Sequence, residues 1–186
     1  MDHRFNVPVV KLRENDFGVS YHICQSRKLN RSITAFSNLC FDNMLIYEMD
    51  PEVTWYCERP LESQVIIDGK NYEIKPDFYV QYQSGTEYFD WICYTNSDLK
   101  NELGHIKSWC RQMGYQYRIR TATDIYIGDF YIRNIKYLFA RSCRNQLRNA
   151  SIDKVIKHFL EENTHITIGQ LMEHGLISNF DGIQIF

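Results

Sequence analysis

Between residues 64 and 94 the chain alternates short aromatic and β-branched runs with tight-turn residues, and no other stretch constrains the fold as strongly. The runs are Gln64–Ile67, Lys70–Ile74, Phe78–Tyr82 and Tyr88–Tyr94, separated by Asp68-Gly69, Lys75-Pro76 and Ser84-Gly85. Such runs bounded by Gly, Pro, Asp and Ser read as strands, so the segment is expected to form one hairpin followed by a second strand pair.

Helical periodicity brackets these strands. Ser37 is a fitting N-cap for a helix carrying Leu39, Phe41, Met44, Leu45 and Ile46, which Pro51 stops. Val53–Cys57 reads as a short strand ended by Pro60. Asp98–Met113 is expected to be a helix closed by Gly114, followed by a strand over Tyr115–Arg120 and a helix over Tyr131–Leu147. The first 30 or so residues read as an irregular lead-in. The tail offers short helices at Ile152–Leu160 and Thr167–Glu173 and a closing strand at Gly182–Phe186, the parts of a winged helix in less space than a complete one needs. The order predicts an α/β fold: a mixed β-sheet flanked by helices over 1–148, then a short helical, partial winged-helix-like C-terminal tail over 149–186.

A content of 44% hydrophobic and 15% aromatic residues suffices for a sizeable core in 186 residues. No apolar run approaches the ~18–20 residues of a membrane span, and no signal peptide is read at the N-terminus. The cysteines Cys24, Cys40, Cys57, Cys93, Cys110 and Cys143 form no C-x-x-C pair, so a reduced, cytoplasmic setting is expected. The formal net charge of −2 conceals a split. Residues 1–100 carry 10 Lys/Arg against 15 Asp/Glu, residues 101–160 carry 11 against 4, and residues 161–186 carry none against 4. A positive block inside a neutral total is compatible with a local polyanion site. On the helix from Tyr131, Arg133, Lys136, Arg141, Arg144 and Arg148 recur so that most share one face. They are the candidate DNA-binding residues, as phosphate contacts that position without reading sequence; a solvated face and an acidic protein partner are the alternatives.

The stretch Tyr72–Val80 contains Pro76-Asp77 at the start of a strand, with a second strand after the Ser84-Gly85 turn. Two carboxylates on adjacent strands can hold Mg²⁺ through hard oxygen ligands, and a lysine beside them can stabilise charge developing on a phosphate. A Pro-Asp pair alone is equally an ordinary turn before a strand.

Ser26-Arg27-Lys28 through Arg31, Ser37-Asn38-Leu39-Cys40, Met49-Asp50-Pro51-Glu52-Val53, Pro60, Tyr72 to Val80, Gly114 to Thr121 and Arg133-Asn134-Ile135-Lys136-Tyr137-Leu138 together resemble TnsA-type transposon endonucleases. These are the restriction-endonuclease-like partners of a two-protein cut-and-paste transposase. The resemblance covers most of residues 26–140 and implies a restriction-endonuclease-like sheet. It also implies DNA (transposon ends) as a partner, beside a DDE-type transposase (TnsB-like) and an AAA+ regulator (TnsC-like), with no membrane.

The resemblance carries the metal-binding aspartate onto Asp77. The family's glutamate on the first helix falls on Cys40, and its acid-x-Lys pair falls on Trp91 and Cys93, or, one residue over, on Asp90 and Ile92. Sliding the first frame would make Asp42 or Glu48 the acid. Asp77 and Asp90 are thus the candidate catalytic residues, with Cys40 and Cys93 at degenerate positions and Asp77 the candidate metal ligand. No lysine lies on the second strand; Lys100 is the nearest downstream. Soft thiolate suits a hard cation poorly, so the expectation is a nuclease fold with degenerate chemistry and no resident cofactor, Mg²⁺ entering only if the site is active. The alternatives are an active Mg²⁺-dependent endonuclease cutting 5′ transposon ends, with Asp90 or Glu87 completing the site, and a phage or mobile-element protein-interaction domain without DNA contact.

Overall fold

The computed structural model describes residues 5–9, 21–67, 69–128, 130–144, 154, 158, 161 and 162. The chain divides into two compact units, 1–135 and 136–186.

In the first unit, β1 (His22–Ser26) and β2 (Arg31–Ala35) pair antiparallel, with His22 opposite Ala35 and Ser26 opposite Arg31. Residues 22–30 are therefore not an irregular lead-in. The turn lacks glycine, and Asn30 supplies the left-handed conformation with φ 51°, a region that asparagine tolerates better than most residues.

Helix α1 (Asn38–Met49) starts where expected, with Ser37 Oγ accepting the Cys40 N–H at 3.0 Å. Its other end is tied to the β1–β2 turn. Lys28 Nζ donates to the carbonyls of Tyr47 (2.7 Å) and Asp50 (2.6 Å), and Glu48 accepts the backbone N–H groups of Arg27 and Lys28. A cation on the last carbonyls of a helix complements its dipole.

The central sheet is mixed and runs β3 (Val53–Glu58), β6 (Phe78–Tyr82), β7 (Glu87–Cys93), β8 (Tyr117–Thr121). The first two pairings are antiparallel. The third, β7 with β8, is parallel, and α2 (Leu103–Met113) lies between those strands in sequence. Strands β4 (Ser63–Ile67) and β5 (Lys70–Ile74) form a separate hairpin. The helix expected over Asp98–Met113 is broken. Thr95 and Asp98 close on each other, with the Thr95 N–H donating to Asp98 Oδ2 at 2.8 Å, and this local bonding draws Asn96–Leu99 into a 3₁₀ turn before α2 begins. Thr121 and Asp124 repeat the device at the start of α3 (Ala122–Ile125), a short helix without a periodic signal of its own. Helix α4 spans Tyr131–Arg144.

Side-chain alternation gives the sheet two working faces. Cys57, Tyr79, Phe89 and Trp91 pack with Ile106, Trp109 and Cys110 of α2. Phe78 lies on the other face, where the Tyr47 ring of α1 meets it at 5.5 Å and Tyr56 at 5.9 Å. Cys40, Cys57, Cys93 and Cys110 are free thiols. Among the described residues no helix is long and apolar enough to cross a membrane. In the second unit, residues 154, 158, 161 and 162 are helical, and His158 faces Glu162 at 3.5 Å. The expected elements at Thr167–Glu173 and Gly182–Phe186 lie outside the described residues.

Candidate functional site around Asp77

Asp77 sits immediately before β6, held by backbone hydrogen bonds on both sides. Its N–H donates to the Asp90 carbonyl at 2.9 Å and its carbonyl accepts the Arg59 N–H at 2.8 Å. The carboxylate makes one close hydrogen bond and two longer contacts. Oδ2 accepts the Ile92 N–H at 2.8 Å, while Oδ1 lies 3.8 Å from the Cys40 thiol and 3.7 Å from Arg59 Nη2. Arg59 itself is anchored, its guanidinium 4.8 Å from the centre of the Phe36 ring. Its backbone has φ 42° although Pro60 follows, a combination sterics disfavour and surrounding structure must impose.

Asp90 lies on the α1 face, opposite Phe78 on β6 and Arg118 on β8. It is wholly buried and paired. Arg118 grips it with both prongs, Nε to Oδ1 at 2.8 Å and Nη2 to Oδ2 at 2.6 Å, and the Tyr47 hydroxyl donates to Oδ2 at 2.5 Å. Ile92 shares this face by alternation, whereas Trp91 packs toward α2, and Cys93 follows it. Of the two ways to place the acid-x-Lys positions, Asp90 and Ile92 face α1 and Trp91 faces α2, and it is the Ile92 backbone N–H that reaches Asp77.

The remaining acids are committed elsewhere. Glu48 accepts from Ser26 Oγ (2.7 Å) and Tyr56 Oη (2.6 Å) at the far end of α1. Asp42 is buried and accepts the Tyr126 hydroxyl at 3.0 Å. Glu87 lies at the other end of the β6–β7 hairpin and accepts from Gln81 at 3.3 Å. Lys100 is exposed after the 3₁₀ turn. Arg133 and Lys136 are exposed on α4 while Ile135 and Phe139 are buried, as the amphipathic pattern requires, and Arg133 covers the Phe130 ring at 4.5 Å. The side chains of Arg141 and Arg144, and all of Arg148, lie outside the described residues. Sequence reasoning missed Arg59 and Arg118. The Asp90–Arg118 register offered no local signal, and Arg59-Pro60 read only as a strand end.

The donor set fits a divalent cation poorly. Burial, and next to it the Asp77 charge, pushes the Cys40 thiol up to about 12, so it stays protonated at neutral pH. Arg59 already faces the one carboxylate, and Asp90 is committed to Arg118. Among the described residues no group of three or more His, Cys, Asp or Glu side chains could hold a metal ion.

Burial pushes the Asp77 carboxyl above its ordinary range, against the pull of Arg59, the Ile92 N–H and the Cys40 thiol, which favour the anion. An acid whose folded pKa is raised contributes stability below its unfolded pKa and loses it as pH rises through the folded value. Asp77→Asn removes that loss. The variant is expected to exceed wild type in urea-unfolding midpoint at pH 7, with the advantage vanishing below the usual aspartate pKa of about 3.9. A variant less stable at pH 7 would mean that the Arg59 contact outweighs burial.

A cavity of 340 Å³ opens at the opposite end of the β6–β7 hairpin, between Ser84–Thr86 and Gly114–Gln116, with Tyr79, Phe89 and Tyr115 in its wall. Glu87, the alternative acid for an active site, lines it, whereas Asp77, Asp90, Arg133 and Lys136 do not. No protein-family model matches the chain, and no curated protein matches it in sequence.

Proposed function

We propose that this chain is a TnsA-like subunit of a heteromeric DNA transposition machinery, with a restriction-endonuclease-like fold whose catalytic set is degenerate, and that it works as an architectural component binding DNA and transposase rather than as the cutting chain. The observation that carries the reading is the state of the two acids. Asp77 opens β6 beside the first helix, the place the resemblance gives to the metal-binding aspartate, yet it faces a thiol and a guanidinium. Asp90 is locked to Arg118, and the family's lysine position, Cys93 or, one residue over, Ile92, carries no cation in either alignment. The mixed sheet with α1 on one face and α2 on the other is compatible with that fold. The proposed partners are transposon-end DNA, a TnsB-like DDE transposase and a TnsC-like AAA+ regulator.

Purified chain, with its transposase, is to be incubated on end-containing DNA with Mg²⁺ or Mn²⁺. No 5′-strand cut is expected, and cleavage abolished by Asp77→Ala would overturn the degenerate reading. DNA affinity is expected to fall with salt, and Arg133→Ala with Lys136→Ala should reduce the slope of log K against log[salt] by about 1–2. A slope near zero in wild type would sink the DNA-binding role.

One observation favours a second reading, a protein-interaction domain without DNA contact. Tyr126, Ile127, Phe130 and Tyr131 are 40–61% exposed within six residues of chain, more apolar exposure than scattered surface residues give. A stable complex with the transposase or regulator, together with no DNA binding at low salt, would select it.

A further inference from the structure

We infer that two guanidinium groups stand in the place of the divalent cation in this site, Arg59 facing Asp77 and Arg118 bonded to Asp90, so that each acid has an internal cation beside it and the chain works without metal. The inference rests on the proposed TnsA-like reading only for which acids a nuclease ancestor would have used. The pairing itself stands on geometry.

Each acid has its own arginine, from a different strand end. Arg59 leaves the end of β3 with its backbone at φ 42°, fixed by the Asp77 carbonyl on its N–H and by the Val9 N–H on its carbonyl at 3.0 Å. Phe36, one residue before the Ser37 N-cap of α1, supports its guanidinium from below. A strained backbone that brings a cation to a largely buried carboxylate is a feature other contacts must maintain, and such strain gathers at functional positions. Arg118 comes from β8, directly across the parallel ladder from Asp90, and its third prong donates to the Tyr82 hydroxyl at 2.9 Å. The Tyr88 ring lies 4.2 Å from its guanidinium carbon. Two carboxylates and two guanidiniums leave no excess negative charge to attract Mg²⁺. A cation approaching Asp77 Oδ1 would also come against Arg59, and the remaining neighbour is the sulfur of Cys40, a soft atom poorly matched to a hard ion.

The test is Mn²⁺ binding, followed by electron paramagnetic resonance, with thermal unfolding in the presence of Mg²⁺ as a second readout. Wild type is expected to show no saturable Mn²⁺ site and an unchanged midpoint. Metal at about 100-fold its Kd would otherwise raise the midpoint of a chain this size by roughly 5–10 °C. Cys40→Glu combined with Arg59→Gln restores a carboxylate and removes the competing cation, and it is expected to bind Mn²⁺ at least tenfold more tightly than wild type. A saturable wild-type site that disappears in Asp77→Asn overturns the inference. So does a double variant, folded by circular dichroism, with no gain in affinity. If the double variant does not fold, Arg59→Gln alone carries the comparison, since its side chain is a quarter exposed, and an affinity no higher than wild type overturns the inference equally. DNA binding is measured separately with and without EDTA. Equal affinity is expected, and EDTA sensitivity counts against the inference, whereas a chain that binds no DNA overturns only the functional proposal and leaves the Mn²⁺ result to decide this one.

Discussion

Arg118→Ala is expected to lower the unfolding free energy by about 3–5 kcal/mol, the range for stripping the partner from a buried charge. Asp90 is wholly inaccessible, and three of its hydrogen bonds come from two groups: two from Arg118 and one from the Tyr47 hydroxyl. Removing the guanidinium leaves a carboxylate with one neutral donor beneath the Phe78–Tyr47 packing. Asp90→Asn in the Arg118→Ala background removes the stranded charge, so most of the loss is expected to return. Replacing both by apolar residues can be close to neutral, because desolvating an ion pair costs about as much as the pair returns. Urea midpoints of the two single variants and the double variant give the coupling directly. A loss below about 1 kcal/mol for Arg118→Ala would place the pair with ordinary surface ion pairs and remove the argument that Asp90 is unavailable for chemistry.

That pairing also shows why the sheet was more legible than the site. The β4–β5 and β6–β7 hairpins could be read locally, because Gly69 at φ 73° and Gly85 at φ 79° mark their turns and the flanking runs are aromatic or β-branched. The Ser37 cap and the Gly114 stop at φ 70° were equally local. The β1–β2 hairpin was missed because neither strand is strongly apolar and its turn uses Asn30 in place of glycine. The helix before Gly114 was drawn too long because Asp98 bonds its own turn instead of extending α2. Asp77 and Asp90 could be identified as acids from sequence. Their partners could not, since Arg118 reaches Asp90 through a parallel register spanning 28 residues and Arg59 reaches Asp77 through a backbone conformation that a residue before proline rarely adopts.

Glu48 bears on the same question from the other end of α1. Ser26 Oγ (2.7 Å), the Arg27 N–H (2.8 Å), the Lys28 N–H (3.1 Å) and Tyr56 Oη (2.6 Å) all donate to its carboxylate. Hydrogen bonds to a charged acceptor contribute about 1.5–3 kcal/mol each and do not add fully, so Glu48→Ala is expected to cost about 3 kcal/mol or more. Glu48→Gln keeps one acceptor oxygen but turns an NH₂ toward a remaining donor, and an intermediate loss is expected. The Ser26-Arg27-Lys28 segment, part of the family resemblance, thus has a structural role. With Lys28 on the Tyr47 and Asp50 carbonyls, it fastens the hairpin to the C-terminal end of the helix. Cys40, which touches Asp77, is eight residues back along α1, roughly 12 Å of helical rise away. If Glu48 acts only as this fastener, Glu48→Gln should lower the unfolding midpoint while the folded fraction keeps wild-type DNA affinity and still shows no cleavage. A cleavage activity present in wild type and lost in Glu48→Gln at unchanged stability would instead make Glu48 the acid of the site. It would require α1 to present its C-terminal end to the substrate, the reverse of the arrangement that places Cys40 beside Asp77.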